Sequence, residues 1–475
     1  MSERRAAPEF PVDLAWVNTR EPQYLGDARG RVVLIHFWSY DSVYCVNQLP
    51  TLRQLENKYH DGLSVFGIHV PKYPAQRDSA AVLKAVNRHH VRHPVANDAD
   101  WAVWQAHGVD AWPTLLLVDC EGALVGRYAG EGWHAEVDTA IGALLDDAAA
   151  RDLRQFDPAP VAFRPEPRQP LRFPAHVLAT ADRLYVSDSA QNRILECGHD
   201  GRILRQFGSG NPGHWDGRLA EAGFRQPQSM ALLGETLYLA DTGNHCVRRI
   251  RLASGEVGTV LGNGAVGRQR PQAGSRLGAI GISAPSGLAA AGERLYVALA
   301  GQHQIWRLDP GRDRVDLLAG CGLAGGGDGP AFDASFAQPS ALALLPGRLL
   351  VADAAGNAIR QVRLADGAVA TVAGGGSYRW GCSDGRGDEA RLAHPLGIAS
   401  DAHGNVYVAD TLNDRICLLD VATGVLGTLQ LEYRFREPHG LSAAAGALWV
   451  ADRNAHEIVR VDIASGACRR VAIGG

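Results

Sequence analysis

The chain has 475 residues, and its 47 basic and 51 acidic residues give no global positive field to attract nucleic acid or an anionic membrane surface. Hydrophobic residues make up 46% and charged residues 21%, which is typical of folded globular proteins and excludes wholesale disorder. No apolar run has the length of a membrane-spanning helix, and residues 1–10 lack the apolar core of a signal peptide. We therefore expect no nucleic acid partner, no membrane association and a cytoplasmic location.

The first third of the chain alternates between strand and helix patterns. A continuous apolar run, RVVLIHFW at 31–38, predicts a strand that is buried on both faces. Later segments predict a helix, a second buried strand, another helix, a hairpin and a final helix, at 43–59, 63–70, 79–89, 115–128 and 135–149. This order indicates an α/β domain over residues 1–150, and the proline-rich, charged stretch 151–172 that follows indicates a linker.

After the linker a single phrase recurs six times along 173–475. Its copies are LYVSD, LYLAD, LYVAL, LLVAD, VYVAD and LWVAD, which end at Asp188, Asp241, Leu299, Asp353, Asp410 and Asp452. A β-branched residue follows each copy six positions later, and a proline opens each unit: Pro174, Pro227, Pro285, Pro339, Pro395 and Pro438. Repeats of this length with several short strands are typical of propeller blades, so we predict a six-bladed β-propeller.

Two smaller patterns inside the repeats have structural interpretations. The aspartate at the end of the phrase is placed to accept backbone N–H bonds in the turn that follows, and Leu299 implies that the third repeat holds this turn differently. Asp-Gly pairs recur eleven residues before the opening proline in three repeats, at Asp216, Asp328 and Asp384. They indicate ordered turns between blades, at an end of the propeller where a ligand or a protein partner could also dock.

These motifs resemble known families. The phrase LYVADTGNHxI resembles the NHL repeat, and the first third resembles a thioredoxin-like domain of the thiol–disulfide oxidoreductase type, through RVVLIHFW, SYDSVYCVNQLPTL, AWPTLLLVDCEG and GRYAGEGW. The order of the two domains is similar to that of the NHL repeat-containing protein 2 family and its bacterial relatives. The resemblance implies a thioredoxin-like domain followed by a six-bladed NHL propeller, and it implies no single reaction.

The thioredoxin-like resemblance places the reactive motif at Ser42-Val43-Tyr44-Cys45. In oxidoreductases of this fold a thiolate at the first position attacks a disulfide, and the second thiol resolves the intermediate. Here Ser42 occupies the attacking position and Cys45 the resolving one. Because a hydroxyl is not ionised near neutral pH, ordinary dithiol exchange should be absent.

Three interpretations of Cys45 remain open. It is a buried residue of the first helical turn, with Asp41 or Ser42 as the helix N-cap, or a lone reactive thiol, or part of a peroxiredoxin-type site. The third interpretation lacks a proline where the chain has Trp38, and a positively charged partner where it has Trp112-Pro113. If the domain binds a substrate, we expect Cys45, Ser42 and Asp41 to act on it and Trp38, Trp112 and Pro113 to contact it.

Two histidines, His176 and His439, follow the opening prolines of the first and sixth repeats, which are neighbours in a closed ring. NHL propellers that act as amidating lyases, to which this part is similar in fold, hold a channel metal with histidines, so the pair is a candidate metal site. Since catalytic zinc takes three protein ligands, solvent-facing or hydrogen-bonding histidines are the alternative, and no other cofactor is indicated.

The sequence leaves several functions open, and whether the protein is an enzyme stays undecided. The leading hypothesis is a thiol-related protein, atypical among oxidoreductases or peroxidases, that binds a small thiol or a peptide at the thioredoxin-like domain or in a cleft beside it. One alternative is a non-redox scaffold that binds a protein partner on the propeller face. Another is an enzyme with a non-thiol site in the propeller channel or the interdomain cleft.

Overall fold

The computed structural model describes residues 5–157, 161–272 and 274–474. The chain divides into two compact units, Met1–Pro167 and Arg168–Gly475. Each unit is described by itself below.

The first unit is an α/β sandwich around one mixed sheet, and the predicted strands and helices are confirmed. Its order along the chain is β1, β2, α1, β3, α2, β4, α3, β5, β6 and α4, which span Ala15–Trp16, Val32–Trp38, Val43–Lys58, Leu63–His69, Ser79–Arg88, Val95–Asn97, Ala102–Ala106, Thr114–Val118, Leu124–Ala129 and His134–Ala150. Three short elements, β1, β4 and α3, were not predicted because they carry too few residues to show a periodicity.

The sheet of the first unit has the strand order β1-β4-β3-β2-β5-β6. β2 lies at its centre, parallel to β3 and antiparallel to β5, and all seven of its side chains are buried. Val33, Ile35 and Phe37 pack into the main hydrophobic core of the unit. His36 and Trp38 lie on the other face of the sheet. β2 ends at Trp38, and a short loop connects it to α1, which begins at Val43.

Residues 151–157 and 161–167 of the stretch predicted as a linker belong to the first unit and bind along it. Gln155 N–H donates to Gly30 O at 2.9 Å, and Ala162 N–H donates to Asn18 O at 2.7 Å. Glu166, whose side chain is 8% exposed, pairs with Lys84 of α2 at 2.5 Å. Proline content identifies an irregular segment, but it does not show whether that segment is free or bound to its own domain.

The described residues of the second unit form six antiparallel sheets of four or five strands, as predicted for a six-bladed propeller. Two of the sheets gain a two-residue strand, Gly217–Arg218 in blade 2 and Gly385–Arg386 in blade 5. The four main strands of blades 1 to 6 are, in order, His176–Ala179, Leu184–Asp188, Arg193–Cys197 and Ile203–Phe207; Pro227–Leu233, Thr236–Asp241, Cys246–Arg251 and Glu256–Leu261; Pro285–Ala291, Arg294–Leu299, Gln304–Asp309 and Arg314–Ala319; Pro339–Leu345, Arg348–Asp353, Ala358–Arg363 and Val369–Gly374; Gly397–Ser400, Val406–Asp410, Arg415–Asp420 and Val425–Thr428; and Pro438–Ala444, Ala447–Asp452, Glu457–Asp462 and Cys468–Val471.

Hydrophobic clusters join neighbouring blades. One cluster combines Val247 of blade 2 with Val297 and Trp306 of blade 3. Another combines Val186 of blade 1 with Trp449 of blade 6, so the last blade packs on the first and the ring is closed. The recurring LYVAD strands supply much of this core, because their alternate side chains face the two neighbouring blades.

The aspartate that ends the second strand has a structural role, but its backbone contact is not the predicted one: the N–H that it accepts comes from the segment before the opening proline, and it does not cap the short helical turn that follows. Asp241 is fully buried, and its Oδ1 accepts the backbone N–H of Arg225 at 2.8 Å. The same bond, from the residue sixteen or seventeen positions earlier, recurs at Asp188, Asp353, Asp410 and Asp452. Blade 3 has Leu299 at this position, and there Gln302 Oε1 accepts the N–H of Ser283 at 2.9 Å. The side chain differs, but the backbone group it satisfies is the equivalent one.

A second ring of side-chain bonds joins the blades and was not predicted. His245 lies four residues after Asp241 in the left-handed backbone region, with φ of 50°, and its Nδ1 accepts the N–H of Ala284 just before the proline of blade 3. Equivalent acceptors occur at all six junctions of the described propeller, supplied by Asn192, His245, His303, Asn357, Asp414 and His456. We call these six residues the junction acceptors. The pattern could not be recognised in the sequence, because the six positions carry Asn, His or Asp and share only an acceptor atom.

The repeated Asp-Gly pairs form ordered turns between blades, as predicted. Asp328 accepts hydrogen bonds from Arg360 at 2.7 Å and from the hydroxyl of Thr371 at 3.0 Å. Asp216 and Asp384 make the same two kinds of contact, with Arg248 and Thr259 and with Arg415 and Thr428. Each pair therefore fixes the connection between blades to an arginine of the next blade.

Candidate functional site

The sequence and the fold place the candidate site at the carboxyl end of β2, where the chain turns into α1. Ser42 occupies the N-cap position of α1 with an extended backbone, φ −86° and ψ 115°, but its side chain makes no capping hydrogen bond. Its hydroxyl is instead hydrogen-bonded to the thiol of Cys45. The predicted N-cap is correct in position, while the hydroxyl contacts the thiol one turn ahead.

Cys45 is fully buried, which fits the first of its three interpretations. Its side chain is 0% exposed, and its Sγ accepts the backbone N–H of Ser39 at 3.4 Å. Burial raises the pKa of Cys45 to about 11, outweighing the positive charge of Lys72 and the hydrogen bond from Ser42. Because the thiolate is the reactive form, this thiol is neither ionised nor accessible at neutral pH in this conformation.

Asp41 lies near Cys45 as a buried carboxylate, with hydrogen bonds to one oxygen and an ion pair to the other. It accepts hydrogen bonds from the hydroxyl of Ser39 and from Gln76 Nε2, the latter at 2.8 Å. Lys72 Nζ lies 3.4 Å from its other oxygen, and the lysine side chain is 25% exposed against 1% for the aspartate. The ion pair thus places one positively charged group at the surface directly above the motif.

The tryptophans and the proline that were expected to contact a substrate differ in exposure. The Trp112–Pro113 peptide bond is cis, and the partly exposed Trp112 packs against Trp101 and Trp104 with ring centroids 5.2 and 4.4 Å away. The ammonium of Lys72 lies over the Trp112 ring, 5.1 Å from its centroid. Trp38 is 0% exposed, so in this conformation it presents no surface to a ligand.

Sequence reasoning missed Lys72, Gln76 and His69. The sequence contained one clue to Lys72, because lysine occurs only three times in the chain. All three lysines form ion pairs in the structure. His69 lies on β3 with its ring stacked on Tyr40 at 5.1 Å, and burial lowers its pKa to about 4. Nothing in the sequence pattern separates it from an ordinary residue of a buried strand.

The described residues contain no disulfide bond. All eight cysteines lie in the described residues and are unpaired. Cys382 is exposed and Cys321 is partly buried, and both belong to connections between blades. The thiol of Cys45 therefore has no partner cysteine in this structure.

His176 and His439 line the same opening at the propeller axis, as the ring geometry predicted. The N–H of Gly440 donates to Ala175 O at 2.9 Å, which brings the first strands of blades 6 and 1 together beside the two rings. Burial lowers the pKa of His176 to about 4, so its ring is neutral. Among residues 5–157, 161–272 and 274–474, no three His, Cys, Asp or Glu side chains are grouped to hold a metal ion. Two imidazoles alone do not match the ligand set of a catalytic zinc.

Comparison with known proteins identifies both units. Residues 6–143 match the Redoxin family. The chain is 34% identical to human NHL repeat-containing protein 2 over 511 aligned residues, which cover 96% of this chain and 70% of that protein. The chain belongs to the NHL repeat-containing protein 2 family. It combines a redoxin unit with an NHL propeller, as the sequence resemblance implied.

Other relatives of this family member share part or most of its length. It is 33% identical to the Arabidopsis thaliana protein SUPPRESSOR OF QUENCHING 1, chloroplastic, over 97% of this chain and 47% of that protein. Its redoxin unit is 30% identical to the thiol-disulfide oxidoreductase YkuV of Bacillus subtilis, over 27% of this chain and 87% of that protein. A solved streptogramin B lyase aligns with 65% of the chain and 86% of its own, at 12% identity and a TM-score of 0.43.

In the described residues no helix has the length and apolar character needed to cross a bilayer. Since one relative is chloroplastic by name, the cytoplasmic location stays a prediction.

Proposed function

We propose that the redoxin unit is a recognition module that binds a peptide or a small thiol beside Trp112 and Pro113 without dithiol exchange. The observation that carries this proposal is the state of Cys45, which is fully buried with a pKa of about 11 while Ser42 occupies the other end of the motif. A nucleophilic role needs an accessible thiolate, and a resolving role needs a partner thiol.

The surface above the motif supports binding. Trp112 offers an aromatic face, its buried Nε1 has no hydrogen-bond partner in the described residues, and Lys72 adds one positive charge over the same ring. An aromatic wall with a cation beside it suits a ligand that has both an apolar part and a carboxylate. A cysteine-containing peptide or a small carboxylate-bearing thiol has this chemistry.

Tryptophan fluorescence of the full chain tests this proposal, with glutathione and its S-methyl derivative as probes. We expect both probes to bind, Trp112→Ala to abolish binding and Cys45→Ser to leave it unchanged. Trp133→Ala is the matched control, because Trp133 is 39% exposed on the same unit and packs on Tyr128 instead. Loss of binding in Cys45→Ser, or a mixed disulfide with Cys45 at neutral pH, would contradict the proposal.

A second candidate function is a protein-binding scaffold on the propeller. It is favoured by large apolar side chains that stay exposed on the connections between blades, including Leu323 at 72% and Tyr378 at 96%. Changing both to serine should reduce binding of a partner without changing propeller stability. Retained binding of an isolated partner by that variant would exclude these connections as its docking site.

The third candidate, an enzyme with a metal in the propeller channel, rests on His176 and His439. Two imidazoles without a carboxylate would hold a transition metal weakly, and they would not hold magnesium or calcium, which prefer oxygen ligands. We expect isothermal titration with zinc to show no stoichiometric tight binding. Tight zinc binding that is lost in both His176→Ala and His439→Ala would establish the metal site.

A further inference from the structure

The last blade departs from the charge pattern of the others at its buried aspartate. In blades 1, 2, 4 and 5 an arginine five or seven residues further on pairs with this carboxylate, as Arg415 Nε does with Asp410 at 2.7 Å. The other three pairs are Asp188 with Arg193, Asp241 with Arg248, and Asp353 with Arg360. In blade 6 the residue five positions after Asp452 is Glu457. A second carboxyl therefore stands where other blades have a guanidinium.

Tyr433 lies between these two carboxyl groups. Its hydroxyl oxygen is 2.8 Å from Asp452 Oδ2 and 2.9 Å from Glu457 Oε2. Two contacts between oxygens at these distances need two hydrogens, and a phenol supplies only one. The second hydrogen must come from one of the carboxyl groups.

Burial assigns that hydrogen to Asp452. The Asp452 side chain is 0% exposed, and its Oδ1 accepts the N–H of Arg436 at 2.8 Å, which leaves Oδ2 to carry the proton. Glu457 is 28% exposed and pairs with Arg470 Nε at 3.1 Å, so a cation already lies beside its carboxyl group. The negative charge of Asp414 also acts on Asp452 and opposes its ionisation.

We propose that Asp452, Tyr433 and Glu457 form a proton-sharing device that makes the last blade sensitive to pH near neutrality. In the protonated state Asp452 donates to the Tyr433 oxygen, and the Tyr433 hydroxyl donates to the Glu457 carboxylate. When the Asp452 proton passes to solvent, two carboxylates face one phenol hydrogen and one contact becomes repulsive. The end of the second strand of blade 6 then opens more readily.

The sign of the effect follows from the direction of the pKa shift. Burial, reinforced by the neighbouring carboxylates, raises the pKa of Asp452 to about 7. The raised value means that the folded blade binds this proton more tightly than the unfolded chain. Its contribution to stability is fully present below the unfolded pKa of about 4 and is lost as the pH rises through about 7.

Hydrogen exchange on the full chain tests the proposal blade by blade. After correction for intrinsic exchange rates, we expect the opening equilibrium of amides in 447–462 to rise about tenfold between pH 6 and pH 8, as the linkage relation gives for this shift. In Asp452→Asn the side-chain amide donates to Tyr433 as the protonated acid does, so this rise should disappear. Glu457→Gln should move the rise to lower pH, because it removes one of the opposing charges.

Blade 5 is the matched control, since its aspartate has an arginine partner. Asp410→Asn leaves Arg415, whose side chain is 11% exposed, without its full counter-charge and should destabilise the propeller, whereas Asp452→Asn should not. Two results would overturn the proposal. One is a pH-independent exchange of blade 6 in the wild type, and the other is an equal loss of stability in the two asparagine variants.

Discussion

The two units differ in whether another residue compensates where the sequence departs from the family pattern. In the propeller, Leu299 replaces the aspartate that ends the second strand, and Gln302 accepts the equivalent backbone N–H. In the redoxin unit, Ser42 stands where the family resemblance places an attacking cysteine, and no second cysteine in the described residues pairs with Cys45. The hydroxyl keeps a hydrogen bond to the remaining thiol, but it cannot replace a sulfur nucleophile.

This difference separates structural residues from chemical ones. A turn needs an acceptor atom at one place, and an aspartate, an asparagine, a histidine or a glutamine can supply it. Two-step dithiol exchange needs both an attacking and a resolving thiol, and no other side chain supplies a thiol. The propeller positions therefore accept several residue types, while Ser42 leaves the motif with a single cysteine, for which we expect no substitute in dithiol exchange.

The largest expected change in the free energy of unfolding is at the buried ion pairs of the propeller, where no other residue can take over the role. Asp241→Ala removes the partner of Arg248, and both side chains are 0% exposed, so we expect a loss of about 3–5 kcal/mol in the free energy of unfolding. Asp216→Ala removes the half-exposed partner of the same arginine and should cost about 1 kcal/mol. Urea unfolding of the two variants measures both, and equal losses would show that burial does not control these pairs.

A smaller effect is expected from acid at the junction acceptors. Nδ1 of His245 accepts a hydrogen bond, so its ring must be neutral, and burial lowers its pKa to about 4. The unfolded chain takes up this proton first, so the stabilisation is present above about pH 6.5 and falls away towards pH 4, by about 2–3 kcal/mol. His245→Asn keeps an acceptor and should reduce this slope in thermal unfolding scans. The exposed His403→Asn should leave it unchanged, and an unchanged slope in His245→Asn would contradict the assignment.

The substitute acceptor of blade 3 offers a test of similar or smaller size. Gln302→Leu leaves the N–H of Ser283 buried without its partner, which should cost about 1–3 kcal/mol in denaturant unfolding. Gln269→Leu is the control, because its side chain is exposed in the same region. If Gln302→Leu were as stable as this control, Gln302 would not be the counterpart of the missing aspartate.

For Cys45 we expect no change at all in the reaction of the native protein with a thiol reagent. Burial and a pKa of about 11 should make it unreactive towards an aromatic disulfide reagent at pH 7, whereas the exposed Cys382 should react at once. Cys45→Ser should therefore leave the reaction trace of the native protein unchanged, while Cys382→Ser removes the fast phase. A fast phase that disappears with Cys45→Ser would restore the reactive-thiol interpretation.

Both folds could be predicted from the sequence because they depend on repeated or continuous patterns. The run 31–38 indicated a buried strand, and six copies of one phrase indicated six blades. The junction acceptors and the Tyr433 contact could not be predicted, because they join residues far apart in sequence through a single atom. Burial of Cys45 also depends on tertiary packing, which explains why three interpretations of it stayed open.

The most direct test of the central claim is an insulin reduction assay with the full chain and its Ser42→Cys variant. Without a thiol at position 42, the wild type should show no turnover above the dithiothreitol background. The variant should form an internal disulfide with Cys45 under oxidising conditions, because it restores the two-cysteine spacing. Robust turnover by the wild type would contradict the claim that this redoxin unit has lost dithiol exchange.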